Sequence, residues 1–225
     1  MRAVMGLKLT RVWWAGVLVL LMTGCASVER PDLRQLPERV ELNGVPFFRG
    51  NANQSGPQVL ASMFSEQRIR TTPGLLTKPL KLPGAEDALQ SNMEKLASEY
   101  GLLVYPLDKS LSALLTQVAA GYPVMLRFTD GTVWSTPRYA MLVGFNRTKQ
   151  TVLLRAGMER RRLMDFDKFE SAWKDAGGWA VLVVSPGQLP AHVDRARWLK
   201  AANDLSRAGQ EQASAKAIQA LELHK

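Results

Sequence analysis

The stretch Gln54-Ser55-Gly56-Pro57 introduces a run, residues 58–64, in which apolar side chains recur at helical spacing. Serine is a favourable N-cap residue, so Ser55 can begin a helix here. Pro57 then lies in the first turn, where the N–H that proline lacks has no helical partner in any case. We therefore predict a helix over 58–64 that Ser55 caps.

The middle of the chain divides into helices followed by strands. Helical periodicity predicts further helices over 87–100, 110–120 and 166–173. Short runs rich in valine, leucine and aromatic residues predict strands over 102–105, 124–128, 139–145, 151–155 and 179–184. The apolar run 45–48 predicts a strand entry, and the proline-rich stretch 71–83 predicts irregular backbone. Helices followed by a mostly antiparallel meander are typical of an α+β domain.

The end of the chain, residues 188–225, is a separate helical segment. It is alanine-rich from Ala191 onward and is interrupted by Gly209. Its pattern resembles one helix–turn–helix unit of a tetratricopeptide repeat, at positions Leu205, Gly209, Ala213, Ala217 and Ala220. A single such unit cannot bury its own apolar face, so it packs on the main domain, packs on a partner, or frays.

The first 24 residues have the features of an export signal. Three basic residues precede an uncharged apolar run, residues 12–22. This run is shorter than the about 20 residues needed to span a bilayer but suits the core of a signal peptide. Small residues then precede Cys25, which resembles a bacterial lipobox.

The lipobox resemblance implies that Cys25 is lipidated and anchors the chain to a membrane. Ala26 and Ser27 follow the cysteine, without the aspartate that resembles an inner-membrane retention signal. We therefore expect a lipid-anchored protein of the bacterial cell envelope, at the outer membrane and facing the periplasm. The polar residues 25–40 would be a tether, and the main domain would span 41–187.

Composition excludes several classes of function. The single cysteine among 225 residues excludes an intramolecular disulfide framework and a cysteine-based zinc cluster. Two histidines leave little room for a metal site, and we expect neither a metal nor a cofactor.

The net charge of +9 invites a nucleic-acid interpretation. Three of the 29 basic residues and none of the 20 acidic ones precede Cys25, so the mature chain would carry +6. The basic run 160–162 lacks the interleaved aromatic residues that stack on bases. A solvated strand face or hairpin is the commoner explanation for it, and no nucleic-acid partner is expected.

Four stretches, in this order, resemble papain-like cysteine peptidases of family thirty-nine, the bacteriocin-leader or double-glycine peptidases, and especially a lipoprotein branch with tetratricopeptide-like helices. They are the run 45–48 with 54–57, then 102–107, 119–124 and 139–145. The resemblance covers roughly residues 43–190. It implies a papain-like fold with N-terminal helices, a mostly antiparallel sheet and a cleft between them.

The resemblance also implies where catalytic residues would lie, and each position departs from the family. Ser55 stands where the family has its cysteine, and Arg138 stands where it has its histidine. Gly50 stands where the family has a glutamine upstream of its cysteine, and Asn146 stands where many relatives have an acidic residue.

These departures remove the expected chemistry. A serine hydroxyl ionises far above neutral pH and needs a neighbouring base, which a permanently charged arginine cannot be. The imidazoles of His192 and His224 both lie outside the domain that carries Ser55. We therefore expect no catalytic residues and no peptidase activity.

A cleft without catalysis can still bind a ligand. Ser55 and Arg138 would face each other across it, with Gln54 beside them and Trp134 as an apolar wall. Arginine holds a carboxylate through two parallel hydrogen bonds, so a peptide or protein partner is expected. Two alternatives remain open: a residual hydrolase that uses Ser55 with a lysine or His192 as base, and a scaffold that recruits an envelope protein through its tail.

Overall fold

The computed structural model describes residues 30–51, 54–129 and 137–224. The chain divides into two compact units, residues 1–34 and 35–225. The described part of the first unit contains one 3₁₀ turn, Pro31–Leu33. The predicted signal peptide, Cys25 and Trp134 lie outside the described residues. Within the described ranges, no helix combines the length and the apolar character needed to cross a bilayer.

The second unit contains seven helices and seven strands in its described ranges. In chain order they are β1 (Arg39–Glu41), α1 (Ser55–Glu66), α2 (Pro73–Thr77), α3 (Leu89–Glu99), β2 (Leu103–Pro106), α4 (Leu111–Ala119), β3 (Val124–Phe128), β4 (Arg138–Asn146), β5 (Thr151–Ala156), β6 (Glu159–Asp165), α5 (Phe166–Asp175), β7 (Ala180–Val184), α6 (Arg195–Arg207) and α7 (Glu211–Leu223). Together they confirm the α+β class.

All the strands belong to one antiparallel sheet. Its order is β2-β7-β3-β4-β5-β6, and β1 pairs with the second half of β4. Gly144 makes that last pairing possible, because a Cβ at this position would lie 2.5 Å from the carbonyl oxygen of Val40. β4 is therefore the central strand, held by β3, β5 and β1.

The main core lies between α1 and one face of the sheet. Leu60 and Phe64 on α1 are fully buried, as are Met93 on α3 and Val143 on β4. Apolar side chains of this kind each contribute about 1.5–3 kcal/mol when fully buried. The packing fixes the first turn of α1 against the start of β4.

The tail packs on the main domain, which decides among the three outcomes expected from sequence. Trp198 on α6 is fully buried and donates a hydrogen bond of 2.8 Å from Nε1 to the carbonyl oxygen of Ala217 on α7. Its ring lies 6.1 Å from the ring of Tyr105 on β2, centroid to centroid. Gln210 adds a hydrogen bond of 2.7 Å from Nε2 to the carbonyl oxygen of Glu99.

Two elements differ from the sequence predictions before β2. No strand forms over residues 45–48, because Val45 is buried without pairing and Pro46 has no N–H to give to a sheet. The stretch 71–83 contains the short helix α2, which starts at Pro73. Proline fits the first turn of a helix, so the prediction of irregular backbone was wrong there.

Two strands were missing from the predicted set, although the basic run 160–162 was interpreted as a solvated strand face or hairpin. β1 begins inside the predicted tether and ends at Glu41. It was missed because only three residues pair and two of them are charged. β6 carries the basic run 160–162 on a mostly exposed strand, so apolar alternation is absent. The interpretation of that run as a solvated strand or hairpin is confirmed.

Candidate functional site

Ser55 joins the start of α1 to the start of β4. It is the first residue of the helix and only 5% exposed, and Gln54 precedes it as the N-cap residue. The Ser55 Oγ accepts a hydrogen bond of 3.2 Å from the backbone N–H of Tyr139. The prediction that Ser55 caps α1 was therefore wrong, because its hydroxyl accepts a hydrogen bond from the sheet instead of from the helix.

This contact brings Ser55 and Arg138 to one cavity, as the sequence predicted for the cleft. The cavity, called here the Ser55 cavity, has a volume of ≈ 230 Å³. Its wall includes Gly50, Phe128 from the end of β3 and Met158 from the β5–β6 turn. It therefore lies where the first turn of α1 meets one end of the sheet.

Arg162 adds a second guanidinium to the Ser55 cavity. Its Cζ lies 5.5 Å from the centre of the Phe128 ring, and its Nη1 lies 3.4 Å from Glu159 Oε1. An aromatic face attracts a guanidinium and orients it. Among the described charged side chains that line the cavity, two are arginines and one is a glutamate, so this part of the site favours an anion. Sequence reasoning missed Arg162 because only the β5–β6 hairpin brings it here.

The space beside Gly50 is filled by a glutamine from α1. A Cβ built on Gly50 would overlap the Nε2 atom of Gln58, which is 4% exposed. The N–H of Gly50 donates a hydrogen bond of 3.3 Å to the carbonyl oxygen of Gly157. Gln58 lies one helical turn after Ser55, and that spacing is the signal that could have found it.

Tyr139 keeps its hydroxyl proton near neutral pH. Burial raises the pKa of Tyr139 above its ordinary value of 10.0, and the weaker effects of the nearby Arg127 oppose the rise. Its ring meets that of Trp179 edge to face at 5.7 Å. Tyr139 is therefore a packing residue and offers no base to Ser55.

Three other predicted residues that the structure describes, Gln54, Asn146 and His224, do not line the Ser55 cavity. Gln54 is exposed at the helix start. Asn146 lies at the opposite end of β4, roughly 26 Å from Arg138 at the usual strand rise, and its Oδ1 accepts a hydrogen bond of 2.7 Å from the Lys149 N–H. His224 lines a different depression beside Gly187. The part of the chain that the structure describes has no group of three side chains able to hold a metal ion.

Two solved structures with a similar fold are described as peptidases. A protein from Bacillus anthracis described as a C39-like peptidase superimposes with a TM-score of 0.52 at 17% sequence identity, covering 66% of this chain and 98% of its own. Xylellain, a cysteine protease from Xylella fastidiosa, superimposes with a TM-score of 0.50 at 12% identity, covering 69% of this chain and 88% of its own. No family model and no curated protein matches the chain.

At these identities the likeness concerns the fold alone. The chain has a papain-like fold, similar to that of the C39-like peptidase. The fold class expected from sequence is confirmed. The Ser55 cavity, with its charges, is the feature from which a function can be argued.

Proposed function

We propose that this chain is a lipid-anchored protein of the bacterial cell envelope whose peptidase-like domain binds a peptide or protein carboxylate without cleaving it. The observation that carries the proposal is the meeting of Arg138 and Arg162 in one cavity with Ser55. The proposal has two parts, loss of catalysis and retention of binding.

Loss of catalysis is supported by the side chains around Ser55. The described residues that line the cavity include no cysteine and no histidine. An arginine side chain is not a base in proteins, and Glu159 forms an ion pair with Arg162 at 3.4 Å. A serine without a base is a poor nucleophile. Ser55 therefore serves here as a hydrogen-bond acceptor.

Binding is supported by the shape and charge of the same cavity. A volume of ≈ 230 Å³ suits one side chain or one terminal residue. A guanidinium matches the two oxygens of a carboxylate, which gives geometric selectivity as well as attraction. Phe128 and Met158 supply apolar walls beside the arginines. The ligand is thus a peptide C-terminus or an acidic side chain.

Paired peptides test the binding. Synthetic peptides of one sequence would be prepared with a free C-terminal carboxylate and with an amide, and again with aspartate or asparagine inside the sequence. We expect one carboxylate form to bind at least about tenfold more tightly than its neutral partner, since hydrogen bonds to charged groups are worth about 1.5–3 kcal/mol. Arg138→Gln should remove that preference.

Arg207→Gln is the matched control, because this arginine is 78% exposed on α6 and does not line the Ser55 cavity. Its preference for the carboxylate form should equal that of the wild type. Equal affinity for carboxylate and neutral peptides in the wild type would contradict the proposal.

Lipid anchoring is supported by the sequence around Cys25 and by no described residue. The tether would then connect the lipid on Cys25 to the main domain and keep that domain near the membrane surface. The tail is the weaker candidate for partner recruitment, because Trp198 and Leu205 on its apolar face are already buried. The binding surface of the proposal therefore belongs to the main domain.

A further inference from the structure

The strand β6 ends the sheet. It pairs with β5 on one side, and within the described ranges no other strand pairs with it. It is seven residues long, and most of its residues are exposed. The free side of such a strand presents backbone N–H and C=O groups that another extended chain can pair with.

A bulge concentrates positive charge on this edge. Leu154 pairs with Arg162 and Ala156 with Glu159, so Arg155 alone faces two residues, Arg160 and Arg161. Arg160 and Arg161 therefore both lie opposite Arg155 in the strand register, and Arg162 follows them on β6. β-Bulges occur preferentially at sheet edges and beside functional sites.

This positive charge is only partly neutralised. Arg161 pairs with Glu41, and Arg162 pairs with Glu159. Arg155 is 4% exposed, and its Nη2 donates hydrogen bonds of 3.0 and 3.3 Å to the carbonyl oxygens of Leu42 and Asn43.

The other nitrogens of Arg155, Nε and Nη1, are buried without a hydrogen-bond partner in the described structure. Burial, with a smaller effect from Arg160, lowers the pKa of Arg155 below its ordinary value, and the weaker effect of Glu66 opposes this shift. Burying a cation carries a desolvation cost, which a nearby negative charge offsets. On β6 itself, the three consecutive arginines 160–162 lie between the carboxylates of Glu159 and Asp165, and Asp165 pairs with Lys168.

We propose that β6 docks an extended acidic segment of a partner protein, which adds to the sheet as a further strand. The inference rests on the proposed function, that the chain binds a polypeptide. Glu159 and Arg162 belong both to β6 and to the wall of the Ser55 cavity. A segment whose carboxylate occupies that cavity would therefore continue along β6.

The partner is acidic and is not a second copy of this chain. Pairing two β6 strands would bring two sets of arginines together, and like charges across a strand pair are destabilising. A segment with glutamate or aspartate opposite Arg160 would be attracted instead. Met158 and Leu163, each 63% exposed, offer apolar contacts on the same hairpin.

The probe is a synthetic peptide about as long as β6 in which glutamate alternates with valine. A second version carries N-methyl groups on alternate backbone nitrogens, which removes strand pairing but keeps every charge. We expect the wild-type protein to bind the first version at least about tenfold more tightly. Binding should slow hydrogen exchange of backbone amides in residues 159–165.

The variant Arg160→Glu should weaken binding of the first peptide by at least about tenfold. It reverses the charge of an exposed β6 residue that would lie opposite a glutamate of the peptide. Lys216→Glu on α7 is the control and should leave binding unchanged, because this residue is exposed and far from β6. The helix α7 packs on α6, which contacts β2 at the opposite end of the sheet from β6. Both variants would be compared with the wild type by circular dichroism.

Three outcomes would overturn the inference: no binding by the wild type, equal binding of the two peptides, or a dimer of the chain that Arg160→Glu dissolves. If the two peptides bind equally while Arg138→Gln still removes the preference for carboxylate peptides, the edge inference fails and the proposed cavity function stands. If the edge binds and the cavity preference is absent, the proposed function fails.

Discussion

At the scale of single residues, the hydroxyl of Ser55 explains how the site is held together. It is buried at the first position of α1 and accepts the N–H of Tyr139 at 3.2 Å. Because the same N–H belongs to the residue after Arg138, one hydrogen bond positions both sides of the cavity. A catalytic serine would need its hydroxyl exposed to substrate and close to a base.

Replacing Ser55 with alanine should therefore reduce stability. The Tyr139 N–H would be left buried without a partner, which costs about 1–3 kcal/mol. Urea unfolding of Ser55→Ala against the wild type measures the change. Ser65→Ala, on the half-buried C-terminal part of the same helix, is the control and should change stability by less than about 0.5 kcal/mol. Equal losses in the two variants would contradict a specific role for the Ser55 hydroxyl.

The resemblance to family thirty-nine allowed Ser55 and Arg138 to be placed together, because it aligns them with two residues that meet in one cleft. It did not reveal Arg162 or Gln58. Arg162 reaches the cavity only through the β5–β6 hairpin, and its run of arginines has no apolar alternation. Gln58 fills space that is empty only because residue 50 is a glycine. Both depend on contacts between distant parts of the chain.

At the scale of elements, β4 organises the domain. Its first half pairs with β3 and its second half with β1, while β5 lies along its other side. The change of partner occurs around Gly144, where the β4–β5 register also shifts. The lack of a side chain at this position lets the backbone of β1 approach.

Gly144→Ala should loosen β1. The new methyl would lie 2.5 Å from the Val40 carbonyl oxygen, so the strand must move. Such overpacking costs about 1–3 kcal/mol, measured by urea unfolding, and hydrogen exchange at residues 39–42 should become faster. Gly74→Ala is the control, because nothing lies within 4 Å of a Cβ there, and it should not destabilise the protein. Wild-type stability in Gly144→Ala would show that the close approach is not required.

Elements with strong local patterns were predictable. β7 is a continuous apolar run, and β3 is apolar except for Arg127. Ser110 caps α4 by accepting a hydrogen bond of 3.2 Å from the Ala113 N–H. β1 and β6 were not predictable, because both are charged strands stabilised by their neighbours. Local propensity decides little in strands of this kind.

At the scale of the whole molecule, a predicted anchor precedes a peptidase-like domain on which a helical hairpin is packed. The resemblance to family thirty-nine predicted the domain fold, and the structure confirms it. The place of the tail could not be predicted, because the repeat-like pattern shows an apolar face without showing what covers it. The main domain covers part of that face through Tyr105 on β2, whose ring lies 6.1 Å from the ring of Trp198 on the tail, centroid to centroid.

The anchor itself has a direct test. Cys25→Ala in the expressing bacterium should abolish lipidation, so the protein should leave the membrane fraction or remain at the larger size of the uncleaved precursor. Immunoblots of fractionated cells measure both. Ser27→Ala should behave as the wild type. A Cys25→Ala protein that stays in the membrane fraction at wild-type size would show that the lipobox prediction is wrong.

The most direct test of the central claim is a single mass-spectrometric experiment. The purified protein would be incubated with a mixture of peptides of varied sequence. The peptides that the protein retains and those that it does not retain would both be identified. The account predicts that intact peptides with carboxylates are retained and that no cleavage products form. Cleavage products that appear with the wild type and disappear with Ser55→Ala would contradict it.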